Sequence, residues 1–409
     1  MNVMEFRGVI AVAIFGACGL NQSGHVGSTK TGDVTHPAER GSPIDELRAL
    51  CGDGEPTAAG DAVLRRQPYL QQVTLSAAKL GWVTTQPGGA RVDLALPGGR
   101  ALPSTSGKPD DVAVRTAGEN QMWSSVDALA PATVYCYALA DQSGALTAAT
   151  GFRTAPAPET DEPVRFLAFG DSGGGGSDQR ALLKQMYTVP YDLIIHTGDL
   201  AYDHGTIGDY KSTVFDVYAD LLRNIPFFPS AGNHDYDTMD GAPFRDVFNL
   251  PGDSGEKWYS YDWGRVHFVA LDTESDYATQ AAWLDRDLAA SQLAWKIVYL
   301  HRPPYSSGQH GSDIPLRTAL APILEQHKVQ LVLAGHDHDY ERMEPQHGVA
   351  YVVTGGGGKG TRTVGSSAFT AFSEDVIHFV YVVVGSDELV LHAIDAEGRE
   401  FDSMVVPRN

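Results

Sequence analysis

Six residues of this chain carry oxygen or nitrogen donors at the ends of short apolar runs, and most of them follow a glycine. The blocks are Gly170-Asp171-Ser-Gly, Gly198-Asp199-Leu-Ala-Tyr202, Gly232-Asn233-His234-Asp235, His301, and Gly335-His336-Asp-His338. Each glycine lets backbone approach closely. A lone Gly-Asp is ordinarily a turn, and a lone histidine such as His196 or His267 is ordinarily a packed core residue. Six donors at successive strand ends are different, because such ends converge in three dimensions. Carboxylate, amide and imidazole together suit Fe, Mn or Zn rather than a soft thiolate site. The residues that could do chemistry are therefore metal ligands first.

The elements that must position them begin after Pro163. The runs VRFLAFG, DLIIHTG, FFPSAG, WKIVYLH and QLVLAGH are apolar throughout, as strands covered on both faces require. ALLKQMY and STVFDVYADLL between them are expected helices. Reactive residues just past the carboxyl ends of such strands occupy the ligand crevice of an open α/β sheet. YSYDWGRVHFVALDT and HFVYVVVGSDELVLHAID alternate like hairpins and are expected to form a second, mixed sheet facing the first. Upstream, from about Tyr69 to Thr154, short alternating runs separated by Pro, Gly and Ser predict a β-sandwich. APAPETDEP is the expected linker, and residues 19–60, with little apolar periodicity, are expected to be a flexible tether.

These blocks carry a resemblance: residues 164–345 are similar to the calcineurin-like metallophosphoesterases, and within them to the purple acid phosphatases. The superfamily's first block is usually Asp-x-His, whereas Gly173 stands at the third position here; Tyr202, three residues after Asp199, fills the vacancy. A phenolate is a hard, strongly donating ligand that favours a trivalent ion. The resemblance implies Fe(III) bound by Asp171, Asp199, Tyr202 and His338. It implies a divalent partner (Zn, Fe or Mn) bound by Asp199, Asn233, His301 and His336, with Asp199 shared. The implied activity is acid phosphatase: hydrolysis of phosphate monoesters by a metal-bound hydroxide, with the ion pair clamping the phosphate oxygens. His234 would contact the phosphate, His310 would be the general acid, and Tyr305 would line the pocket. The family's plant members carry a second histidine right after this one, where the chain has Gly311.

The implied fold is an N-terminal all-β, fibronectin III-like sandwich over 62–156, followed over 163–409 by an α/β four-layer catalytic domain of two mixed β-sheets flanked by helices. Leu129-Ala-Pro-Ala-Thr-Val-Tyr135-Cys-Tyr137 resembles the fibronectin type III corner, in which a tyrosine hydroxyl bonds back to upstream backbone.

Three rival readings are weaker. Asp171-Ser172-Gly173-Gly174 also spells the surroundings of a chymotrypsin-like nucleophile, but the histidines upstream are only His25 and His36, both in the expected tether. Gly355-Gly-Gly-Gly358-Lys359-Gly360 resembles a phosphate loop but lacks the Ser or Thr after the lysine, so a strand-ending turn beside the metal site is expected. A non-catalytic surface binding protein would normally lack some of the ligands. Within enzymes, a phosphodiesterase or nucleotidase of the same superfamily is the alternative.

With 30 basic against 51 acidic residues, the net charge of −21 repels nucleic acid and anionic membranes, so a polynucleotide is not expected as a partner; the resemblance implies a small phosphorylated substrate. The short apolar run VIAVAIFGA after Arg7 reads as an export signal over 1–17. Phe15-Gly-Ala-Cys18-Gly resembles a lipoprotein cleavage site, so secreted, periplasmic and lipid-anchored (through Cys18) forms all stay open; the tether then begins at residue 18 and runs to 61. Export would leave Cys51 and Cys136, either as one disulfide or as two buried thiols. Oligomeric state is not legible.

Overall fold

All five apolar runs after Pro163 are strands: Val164–Phe169, Leu193–His196, Phe227–Pro229, Trp295–Leu300 and Leu331–Ala334. The computed structural model describes residues 37–408 except 58–62, 87–89, 111, 113–115, 117 and 253. The runs do not share one sheet. The first three lie parallel in a six-stranded sheet that continues, antiparallel, through His378–Val384, Glu388–Asp395 and Glu400–Pro407. The other two lie in a seven-stranded sheet with Tyr259–Trp263, Val266–Ala270, Ala350–Thr354, Tyr340–Met343 and Thr370–Glu374. The expectation that both hairpins form the second sheet is thus corrected: one opens that sheet, and the other completes the first. Local hydrophobic texture reports that a strand is covered, not which distant strand it pairs with.

Alternate residues of these strands enter two different cores, which is why the runs are apolar throughout. From Trp295–Leu300, the side chains of Trp295, Ile297 and Tyr299 enter the core between the sheets, while Val298 and Leu300 join a second cluster. Helices Tyr277–Ala290 and Ile314–Gln326 supply Leu284, Leu288, Leu316, Leu320 and Leu324 to that second cluster. Their N-termini are fixed by Asp276, which accepts from Thr279 N at 2.9 Å, and by Asp313, which accepts from Leu316 N at 2.8 Å. Helix Ser177–Met186 covers the first sheet with Leu182 and Met186. Between the sheets, Phe228 stacks on Tyr261 with centroids 3.9 Å apart, and Phe166 meets Phe268 edge-on at 5.3 Å. The layering is helix, sheet, sheet, helix.

The expected helix STVFDVYADLL is not continuous: its first residues fall in a π turn over Lys211–Phe215, which follows a short helix at Ile207–Tyr210, and its last residues form Ala219–Leu222. The break has a local cause. Tyr210 donates its hydroxyl to Asp235 at 2.6 Å and Thr213 donates to Leu200 O at 2.9 Å, so the widened turn is drawn toward the loops that carry ligands.

Residues 64–153 form two antiparallel sheets. One contains Leu64–Gln71, Ala77–Thr84, Asn120–Asp127 and Lys108–Pro109; the other is built on Arg91–Leu96, Val134–Ala140 and Thr150–Arg153. Leu80, Trp82, Val92, Leu139 and Phe152 are wholly buried in its core. Ala130 N–H donates to the Tyr135 hydroxyl at 2.8 Å, the upstream bond expected of that tyrosine. This unit meets the rest of the chain through Tyr69 Oη to Val247 O (2.6 Å), Tyr137 Oη to Arg223 O (2.7 Å) and Gln71 Nε2 to Phe227 O (3.0 Å).

The described part of the expected tether is folded, which corrects that reading. Helix Asp45–Cys51 buries Leu47, with Ile44 just before it also buried, and Cys51 is disulfide-bonded to Cys136. Glu39, Glu46 and Arg48 pair with Arg165, Arg153 and Asp220. Three buried apolar residues, Ala38, Ile44 and Leu47, are too few to register as a period; a distant crosslink and charged partners hold the segment as well. The export signal over 1–17 and Cys18 lie outside the described residues. Among the described residues, no helix is long and apolar enough to cross a membrane.

Candidate metal centre

The two sheets each contribute half of the site. Asp171, Asp199 and Asn233 follow strands of the first sheet, while His301, His336 and His338 follow strands of the second. Asp171, Asp199 and His336 adopt left-handed backbone, with φ of 55°, 55° and 72°. Such conformations cost about 1–3 kcal/mol each in non-glycine residues and gather at functional sites. The glycines beside them have a steric role. A Cβ on Gly198 would lie 2.6 Å from His301 Nδ1, and one on Gly232 would lie 2.2 Å from Asp199 Oδ1.

The side chains sort into two clusters. Tyr202 Oη lies 2.9 Å from Asp171 Oδ1, 2.9 Å from Asp199 Oδ2 and 3.1 Å from His338 Nε2. His301 Nε2 lies 3.2 Å from Asn233 Oδ1, 3.2 Å from His336 Nδ1 and 3.4 Å from Asp199 Oδ2. Asp199 Oδ2 belongs to both clusters. Adjacent donors of an octahedron with bonds of about 2.1 Å stand roughly 3 Å apart, so both clusters have the spacing of a coordination shell. The donor atoms of Asp199, His301 and His336 also converge within 4.8 Å of one another. The residues present fit two adjacent cations.

Neighbouring groups aim these donors. His301 Nδ1–H donates to Thr197 O at 2.9 Å, which leaves the Nε2 lone pair facing inward. Asp171 Oδ2 accepts from His336 N at 2.8 Å, keeping Oδ1 for the first cluster; Asp199 Oδ1 accepts from His234 N at 2.8 Å, keeping Oδ2 shared. Asp235, whose role spacing alone does not reveal, accepts from Gly232 N at 2.9 Å, Leu200 N at 3.2 Å and Tyr210 Oη at 2.6 Å, locking the Asp199 and Asn233 loops together. Burial, then the nearby Asp199 charge, pushes its pKa up to about 6.

The electrostatics also suit cations. Burial, then the carboxylates of Asp171 and Asp199, holds the Tyr202 phenol well above its usual pKa, a bias that positive charge beside the oxygen opposes. Burial, then His301, His310 and Arg302, depresses His336 to about 2, so its imidazole is neutral and has a lone pair to offer. Burial opposes a proton on His301, but Asp199 and Asp171 outweigh it and raise the pKa to about 10: the acidic pair draws positive charge to this spot.

The remaining sequence-predicted residues fall at different distances. His234 packs on Tyr202, ring centroids 4.4 Å apart, and its Nδ1–H donates to Asp203 O at 2.7 Å. His310 stacks on His336 at 4.1 Å and receives a hydrogen bond on Nε2 from Arg362. Burial, opposed by Asp337 and reinforced by Arg362, keeps the His310 pKa below the usual histidine value. Tyr305 packs against Tyr351, Phe369 and Arg317. His196 is buried in the core as expected, and His267 is partnered by Asp262 and Asp287.

The glycine-rich segment does lie beside the centre. Gly357 N donates to Gly170 O at 2.9 Å, Lys359 N to Asp171 O at 3.0 Å and Arg362 N to His338 O at 2.9 Å. Gly173 has a second role there. Its φ is +91°, and a Cβ would lie 2.8 Å from Gly358 O and Lys359 N, so the position that lacks the superfamily's imidazole also admits this segment.

Residues 164–340 match the family model of the calcineurin-like phosphoesterases. Tartrate-resistant acid phosphatase type 5 of Sus scrofa is 28% identical over 317 residues, covering 65% of this chain and 92% of that protein. Probable inactive purple acid phosphatase 27 of Arabidopsis thaliana is 29% identical over 237 residues, 47% of this chain but 38% of its own length. A purple acid phosphatase from yellow lupin shares the fold, with a TM-score of 0.76 at 22% identity over 87% of this chain and 75% of that one.

The family match over 164–340 and the buried Asp/His cluster support dinuclear metal-dependent phosphoester hydrolysis. The relatives from Sus scrofa and Rattus norvegicus are tartrate-resistant acid phosphatases, hydrolases of phosphoric monoesters, which favours that activity over the diesterase or nucleotidase alternative.

Proposed function

We propose that the chain is a purple acid phosphatase acting on small phosphate monoesters, with Fe(III) held by Asp171, Asp199, Tyr202 and His338. A divalent ion (Zn, Fe or Mn) would be held by Asp199, Asn233, His301 and His336. The observation that carries this is the Tyr202 hydroxyl within 3.1 Å of three of the four first-cluster donors, because a phenolate among carboxylates favours a trivalent ion. Two such ions supply Lewis acidity, lowering the pKa of a water and offsetting phosphate charge.

The protein's own groups do the rest. His234 faces the centre beside Tyr202 and contacts the phosphate. His310, stacked on His336, gives a proton to the leaving oxygen when protonated and regains one from solvent. The two-sheet unit over 62–156 is proposed as a fibronectin III-like domain, supported by the Tyr135 corner bond, and 163–409 as the catalytic domain. The Cys51–Cys136 disulfide supports export to an oxidising compartment, either free or anchored through a lipid on Cys18.

The test is metal analysis joined to a visible spectrum and hydrolysis of p-nitrophenyl phosphate. A purple or pink band lost in Tyr202→Phe is the expected result. A colourless, fully active Zn or Mn enzyme would refute the iron assignment, and no turnover with metals bound would refute the phosphatase.

A further inference from the structure

Three cationic side chains rim the metal centre, and two already have carboxylate partners. Arg302 donates to both oxygens of Glu274, at 2.6 and 3.1 Å, while its Nη1 lies 3.4 Å from His336 Nε2. Lys359 Nζ sits 4.5 Å from the centroid of the Tyr202 ring and donates to Asp203 at 2.5 Å. Arg362 differs. Among the described residues, no carboxylate forms an ion pair with its guanidinium, whose hydrogen bond goes from Nη1 to His310 Nε2. Asp339 feels the charge only from beyond hydrogen-bond distance.

Its position is fixed by the backbone. Arg362 N–H donates to His338 O, so the side chain is carried on a segment tied to a ligand residue. His310 stacks on His336, so the order outward from the centre is His336, His310, Arg362. The volume beside them is open: a Cβ at Gly311 would meet nothing within 4 Å. A phosphoryl group engaged by the ligand clusters would have its leaving group on the His310 side, and the first uncompensated positive charge there is Arg362. A guanidinium presents a planar fork of donors that matches phosphate oxygens in pairs.

We propose that Arg362 is a specificity-determining residue that receives a second phosphoryl group, one borne by the substrate's leaving group. The preferred substrates are then doubly phosphorylated, with one phosphoryl at the metals and the other on Arg362. This rests on the phosphatase reading above.

The test uses the full metal-loaded chain and two competitive inhibitors of p-nitrophenyl phosphate hydrolysis: inorganic phosphate, which reaches only the metal subsite, and methylenediphosphonate, which spans both. The readout is the ratio of the methylenediphosphonate Ki to the phosphate Ki. In Arg362→Ala this ratio should rise about tenfold, the size of one charge-assisted contact. Arg362→Lys, which keeps the charge without the fork, should raise it about threefold and carries the test if the alanine variant does not fold. An unchanged ratio in the lysine variant and in any folded alanine variant, both inhibitors weakening in parallel, overturns the assignment while leaving the phosphatase intact. Failure of the wild type to hydrolyse p-nitrophenyl phosphate with metals bound overturns both.

Discussion

Asp235 shows how a residue outside the two clusters can govern the centre. It ties the loop bearing Asp199 to the loop bearing Asn233 and receives the Tyr210 hydroxyl at 2.6 Å. Removing a group of this kind typically costs 10–100-fold in metal affinity or activity. Asp235→Ala is expected to lose metal on dialysis at about that ratio, measured by competition with a chelator; unaltered retention would deny the role. The residues of the two clusters were legible because most sit just behind an apolar run, many after a glycine, a spacing that survives without structure. Arg302, Lys359 and Arg362 were not. A lone cation in a loop has no spacing that marks it, and its meaning comes from partners far away in sequence.

At the scale of elements, the segment following strand Ala350–Thr354 depends on one missing methyl group. Gly173→Ala would put a Cβ 2.8 Å from Gly358 O at a φ of +91°, so either the 355–362 segment or the Asp171 loop must move. Strain of this sort costs about 1–3 kcal/mol. The variant is expected to melt several degrees lower. An unshifted melting temperature would show that the segment gives way freely.

Strands and their ends were readable here because being covered on both faces leaves a continuous apolar signature. Their assignment to sheets was not readable, since the hairpin at 378–395 alternates much as the one at 259–270 does. The π turn over Lys211–Phe215 was hidden for a related reason: its cause lies in Asp235 and Leu200, not in its own residues.

For the whole molecule, one buried histidine links stability to pH away from the metal site. His267 bridges Asp262 on the hairpin and Asp287 on helix Tyr277–Ala290, at 2.7 and 2.9 Å. Burial alone would lower its pKa, but the hydrogen bonds to Asp262 and Asp287 raise it to about 9, above the usual 6.5. Because the folded value exceeds the unfolded one, the contribution is complete below about pH 6.5 and is lost as pH rises through about 9. His267→Gln should flatten the alkaline fall in denaturant-measured stability between those values; an unchanged slope would remove His267 as its source.

Four of the clustered residues hang from one sheet and three from the other, and Asp199 alone serves both clusters. Any ion seated there is therefore a rivet through the interface between two halves of the domain. Ligation that favours the native state at a thousand times its Kd contributes about 4 kcal/mol. Stripping the metals should lower the melting temperature and speed proteolysis most at the loops around 171, 199 and 336, where the seam would open. An apoprotein that melts with the holoprotein would show that hydrophobic packing alone closes it. The same rivet makes metal loading a checkpoint of assembly: only a chain whose two sheets have already met can hold the ions on which the chemistry depends.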